Sequence, residues 1–196
     1  AGNAARTQGV GRNMIELSEL RDAAQKAFPA DKLTPTRDDS WKLAAEMGWL
    51  MIQLSEEQGG LGLGRAAAAS IHFELGRVLA AAPLAPALLG LQAIAASDRL
   101  PDKQELIERL CGGEYSPLHM LPAQVSGDDV LNGTIAGVFD ADMASHVVAA
   151  LPGRYVLLPL DAPGVRLDEH RLWDESRRLF DVVLDGFAPT PAMVLA

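Results

Sequence analysis

The chain has 196 residues, 48% of them hydrophobic, which is enough apolar material for one large core or two small ones and excludes disorder as an overall description. A formal net charge of −9 repels a polyphosphate backbone, so DNA and RNA are excluded as partners. The charge is uneven: residues 1–112 carry 12 Lys and Arg against 14 Asp and Glu, whereas residues 113–196 carry 5 against 12 and no Lys, which points to two domains.

Residues 1–13 hold Arg6 and Arg12 among small side chains but no apolar run, so they are read as a flexible N-terminus rather than a signal or anchor. From Met14 to Phe28, Leu17, Leu20, Ala24 and Ala27/Phe28 recur at helical spacing, and Pro29 ends the helix. Asp38, Asp39 or Ser40 is expected to cap a second helix that buries Trp41, Ala44 and Met47 and stops at Gly48. The apolar piece Trp49–Leu54 leads into a glycine-rich loop over residues 59–64. Further helices are expected over Arg65–Ala80, with Ala67, Ile71, Leu75 and Val78 on one stripe, over Ala87–Ala96, and over Asp102–Leu110. The uncharged run Val78–Ser97 is just long enough to span a bilayer, but Pro83 and Pro86 break it, so it is read as a turn between buried helices and no membrane partner is expected.

Beyond Gly112-Gly113 the pattern changes to short apolar runs: Val130-Leu131, Val147–Leu151, Tyr155–Leu160, Gly164–Leu167 and Leu179–Leu184. Asn132-Gly133, Pro152-Gly153 and Pro163-Gly164 supply turns between them. The expected fold class is α+β: an α-helical domain over residues 14–112, then a small antiparallel β-barrel or sandwich over residues 113–196.

Standard catalytic signatures are absent: there is no G-x-S-x-G elbow, no H-E-x-x-H and no Cys-x-x-Cys. Asp140, Asp142 and His146 could be arranged around a metal, but acids in such a turn bond to backbone, so no metal site is expected. The glycine run before a helix offers amides to a phosphate, yet no strand precedes it, and a tight interhelix turn is the preferred reading. Cys111 alone forms no internal disulfide, which leaves the cytoplasm as the expected location.

Several segments taken as a set carry a resemblance. Trp41-Lys42-Leu43-Ala44-Ala45-Glu46-Met47-Gly48-Trp49, the run from Ser55 to Gly64, Phe73-Glu74-Leu75-Gly76-Arg77-Val78-Leu79-Ala80 and Pro83-Leu84 resemble the N-terminal domain of acyl-CoA dehydrogenases. Gly113-Glu114, Leu131-Asn132-Gly133-Thr134 and the stretch Asp174–Gly186 are similar to that family's middle β-domain. The resemblance implies an FAD enzyme that forms an α,β double bond in an acyl-CoA: a carboxylate removes the α-proton while the flavin accepts hydride. It also implies that the C-terminal helical bundle, which carries the base, lies outside this sequence, so no catalytic residue is named.

The same resemblance locates candidate flavin contacts. Met120-Leu121-Pro122 stands closest to the family's Thr-Glu-Pro, and Ile135, Gly137 and Phe139 stand where the family favours Lys, an aromatic and a Thr. Met120, Leu121, Gly137 and Phe139 are therefore the candidate cofactor-binding positions, with the family's stacking face and hydroxyl donor replaced. Arg177 or Arg178 is a candidate phosphate contact, and the other is expected to be exposed or paired with Asp174 or Glu175. The pattern resembles the divergent subunits of heteromeric, steroid-type acyl-CoA dehydrogenases, in which one subunit type can lose the flavin site. Acyl-CoA is the implied substrate, and a homo-oligomer or a hetero-oligomer with an acyl-CoA dehydrogenase subunit is the implied assembly.

Overall fold

The computed structural model describes residues 17–31 and 36–195. The expected flexible stretch 1–13 and the start of the first helix at Met14 lie outside the described residues. Two compact units divide between Ala82 and Pro83.

In the first unit, residues 17–27 are helical (α1), followed by α2 (Arg37–Glu46) and α3 (Gly64–Arg77). The apolar stripes set the buried faces: Ala24, Phe28, Trp41, Ala44, Ile71 and Leu75 are all buried, and Phe28 stacks on Trp49 with ring centroids 5.9 Å apart. Thr36 caps α2, its Oγ1 accepting from the Asp39 amide at 3.2 Å, and not Asp38, Asp39 or Ser40. Asp38 and Asp39 fall inside the first turn, where carboxylates favour the helix dipole. Met47, expected on the buried side, is exposed, because α2 ends at Glu46 and leaves Met47 at the cap. In the glycine-rich loop, the amides of Gly60, Leu61, Gly62 and Leu63 donate to the carbonyls of Ser55, Met51, Leu54 and Ile52. Those amides are committed to the chain's own turn and are not offered to an anion.

The second unit holds α4 (Leu84–Ala96), α5 (Lys103–Cys111) and seven strands. Residues 78–83 lie between α3 and α4, with Pro83 at the cap position of α4; Pro86 lies in the first turn, where a missing N–H costs no intrahelical bond. Strands β1 (Leu118–His119), β4 (His146–Leu151) and β5 (Arg154–Pro159) form one sheet in the order β1-β4-β5. Strands β2 (Gln124–Ser126), β3 (Leu131–Phe139), β7 (Leu179–Phe187) and β6 (Val165–His170) form the other, in the order β2-β3-β7-β6. All pairings are antiparallel except β1 with β4.

The two sheets share one core. Ile135 and Val138 of β3 and Val182 and Leu184 of β7 pack with Val147 and Ala149 of β4 and Leu158 of β5. The other side of the three-stranded sheet is covered where α4 packs against β1 and β4, which is why β4 is buried almost continuously and not in alternation. The change from helix to strand falls between Cys111 and Leu118, while α4 and α5 belong to the same compact unit as the sheets. Among the described residues no helix is long and apolar enough to cross a membrane.

Candidate functional site

Gly137 and Phe139 lie towards the end of β3, beside the start of β7, and Met120 and Leu121 directly follow β1. β3 and β7 slip in register between Ile135 and Val138: the pair Ile135 with Val182 is followed by Val138 with Phe180. The extra β3 residue is absorbed as a bulge, with Gly137 at φ 75°, a conformation that side chains with a Cβ rarely adopt. The freed Gly137 amide donates to Asp181 Oδ1 at 2.9 Å. His170 Nε2 lies 3.0 Å from the same oxygen.

β1 reaches this bulge through His119, whose ring interacts with the Ala136 backbone. His119 is buried, and no hydrogen bond reaches its Nε2 among the described residues. Burial pulls its pKa below the ordinary histidine value, opposed in part by the Ala136 contact, so the ring is neutral at pH 7. Immediately after it, Met120 and Leu121 are 65% and 61% exposed. Phe139, 48% exposed, lies under the Arg177 guanidinium at 5.3 Å from its ring centre.

Among the described residues the carboxylates bonded to Arg177 and Arg178 are Asp140, Asp142 and Glu169, while Asp174 feels Arg177 as a nearby charge. Arg177 Nη2 lies 2.5 Å from Oδ2 of Asp140, which is wholly buried. Asp140 Oδ1 accepts from the Arg178 amide at 3.1 Å. The Arg178 side chain bonds Glu169 at 2.9 Å and Asp142 at 2.5 Å and stacks on Phe180. Asp174 instead accepts from the amide and hydroxyl of Ser176, a local turn. Both guanidinium groups are thus engaged by carboxylates, and Asp140 and Asp142 are engaged by guanidinium groups.

Met120 and Leu121 are tied to the Gly137 bulge only through the preceding His119 and its contact with the Ala136 backbone, and the chemistry of all four positions is apolar. None of these side chains carries a strong donor or acceptor, and the Gly137 amide is already used by Asp181. An isoalloxazine presents carbonyl oxygens and ring nitrogens along one edge, and the side chains here do not fit that edge. Polar residues at the bulge that the sequence reading did not single out include Asp181, His119 and His170. Asp181 lies 44 positions from Gly137, a separation that no local spacing rule detects.

The family model described as "Acyl-CoA dehydrogenase, N-terminal domain" matches residues 15–114, just over half of the chain. No curated protein sequence matches. Among solved structures, a variant of the Tcur3481-Tcur3483 steroid ACAD is 24% identical, with a TM-score of 0.73 over 93% of this chain and 59% of that one. The ChsE4-ChsE5 complex from Mycobacterium tuberculosis is 18% identical, with a TM-score of 0.74 over 92% of this chain and 56% of that one. A glutaryl-CoA dehydrogenase from Mycobacterium smegmatis in complex with FADH2 is 18% identical, with a TM-score of 0.66 over 94% and 55%. At these identities the likeness speaks for the fold, and the chain spans less than two thirds of the length of each structure.

Proposed function

Because the chain belongs to the acyl-CoA dehydrogenase family, we propose that it is a subunit of an FAD-dependent acyl-CoA dehydrogenase assembly and contributes frame and interface without holding the flavin through its own side chains. The assembly would carry out α,β-dehydrogenation of an acyl-CoA thioester, with the carboxylate base supplied from outside these residues. The observation that carries this reading is the apolar character of the candidate flavin region: exposed Met120, Leu121 and Phe139, with the Gly137 amide taken by Asp181. Groups that must stay exposed and apolar on a lone chain favour burial against a partner. Support for a heteromeric partner comes from the likeness to a structure that is itself a complex of two components, ChsE4 and ChsE5.

The test is a titration of the purified chain with FAD, followed by quenching of flavin fluorescence and by visible absorbance after gel filtration. The expected outcome is no saturable binding and a colourless protein. A yellow protein that retains one FAD per chain would instead make the chain a flavin-binding dehydrogenase subunit and contradict the proposal.

A further inference from the structure

β6 ends the four-stranded sheet: its neighbour in the strand order is β7, and among the described residues no strand pairs with its outer edge. The register fixes which backbone groups that edge presents. The Asp185 amide donates to the Gly164 carbonyl at 2.8 Å, and the pairing runs on without a slip from Val165 with Leu184 to His170 with Leu179. Bonded and non-bonded pairs alternate in an antiparallel ladder, so Arg166, Asp168 and His170 direct their backbone groups at β7. Leu167 and Glu169 therefore turn amide and carbonyl outward. Val165 turns out its carbonyl, while its amide donates to the Ala162 carbonyl at 3.1 Å.

Side chains alternate in step with this. Val165 and Leu167 pack against the core, which leaves Arg166, Asp168 and His170 on the outer face. There Arg166 is ion-paired with Asp168, and both side chains stay open to solvent. Asp168 also stands directly opposite Asp181 of β7, so two like charges meet at this edge, with His170 set against Asp181. Charges on an edge strand ordinarily block pairing, because an arriving strand sets like charges together. A second copy of β6 is the exception.

Two antiparallel copies related by a two-fold axis at Leu167 set Leu167 against Leu167 and Val165 against Glu169 as bonded pairs, which uses the outward amides of Leu167 and Glu169. The same register sets Arg166 of each copy directly opposite Asp168 of the other, in the non-bonded positions where side chains come closest. Each Asp168 then lies between two guanidinium groups and each Arg166 between two carboxylates. Moving the axis by one residue would set Asp168 against Asp168 or Arg166 against Arg166, so charge selects the register at Leu167. We propose that β6 is a self-complementary edge through which two copies of this chain join their four-stranded sheets into one continuous antiparallel sheet. This pairing does not depend on whether the chain serves a dehydrogenase assembly.

The experiment is sedimentation velocity of the whole chain in reducing buffer at physiological salt, from about 10 µM to about 1 mM, with amide hydrogen exchange read by NMR at both ends of that range. A dimer with a dissociation constant of about 100 µM or tighter is expected, since one strand pair makes a small interface. The amides of Leu167 and Glu169 should exchange about threefold or more slowly at the higher concentration, and those of Arg166 and Asp168, already bonded to β7, should change less. Arg166→Asp and Asp168→Arg should each weaken self-association by about tenfold or more, and the two variants mixed in equal amounts should dimerise with each other. A chain that stays monomeric at the higher concentration, a dimer that leaves the Leu167 and Glu169 amides unprotected, or a mixture that does not associate would each overturn the proposal. Protection of those amides only after an acyl-CoA dehydrogenase subunit is added would assign the edge to that partner and overturn it too. The exchange pattern of the unaltered chain decides alone if the variants do not fold.

Discussion

Glu74 of α3 is buried and ionised, and three neighbours make that tolerable: Arg21 and Arg77 at 2.9 Å and Gln25 at 3.0 Å. Burial alone would raise its pKa, but the hydrogen bonds from Arg77, Arg21 and Gln25 outweigh burial and hold the carboxyl below its ordinary 4.5. A carboxyl depressed by folding binds its proton more readily in the unfolded chain, so its stabilisation is fully present above pH 4.5 and is lost as pH falls through the lower folded value. Glu74→Gln is therefore expected to lower the urea midpoint at pH 7, with the gap to the parent closing as the pH drops below 4.5. A gap that stays constant across that range would show that the carboxylate's charge is not what stabilises the cluster. Of its partners, Arg77 at i+3 is visible from helical spacing, but Arg21 lies 53 positions away and Gln25 lies 49, and only folding brings them in. The same holds at Arg177 and Arg178: sequence neighbours suggested Asp174 and Glu175, whereas the bonded carboxylates are Asp140, Asp142 and Glu169.

Helices with a strong apolar stripe, such as α3 with Ala67, Ile71 and Leu75, were legible in the sequence because burial of one face imposes a 3.6-residue period. Strands β1 and β2, of two and three residues, carry no period to detect and were missed. β3 was recognised only at its first residue, Leu131, since it runs on through Asn132-Gly133, a turn signal in isolation that here stays in the strand. The bulge at Gly137 depends on pairing with β7 and has no local sequence mark beyond the glycine itself. Gly90 gives an element-scale test. It lies inside α4, where Gly→Ala in an exposed helix would gain about 1 kcal/mol. A Cβ at this position would stand 2.0 Å from the Ser116 carbonyl oxygen, a backbone atom at the approach to β1. Gly90→Ala is thus expected to destabilise by about 1–3 kcal/mol in chemical denaturation, and a stabilised variant would show that α4 does not pack this closely on the backbone before β1.

At the scale of the molecule, the helices-then-strands order was legible because charge, glycine and apolar periodicity all change near residue 112. That α4 and α5 join the compact unit of the sheets was not, because their long-range packing leaves no sign in local periodicity. Met120, Leu121, Phe139 and Trp173 are large apolar side chains left exposed, and the proposed subunit would bury such groups on assembly. Native mass spectrometry of the chain produced together with an FAD-loaded acyl-CoA dehydrogenase subunit reads composition and flavin count at once. The proposed role predicts a mixed oligomer whose FAD number equals the number of partner subunits, and no flavin on this chain by itself; an FAD on every copy of this chain, or no mixed oligomer at all, would contradict it.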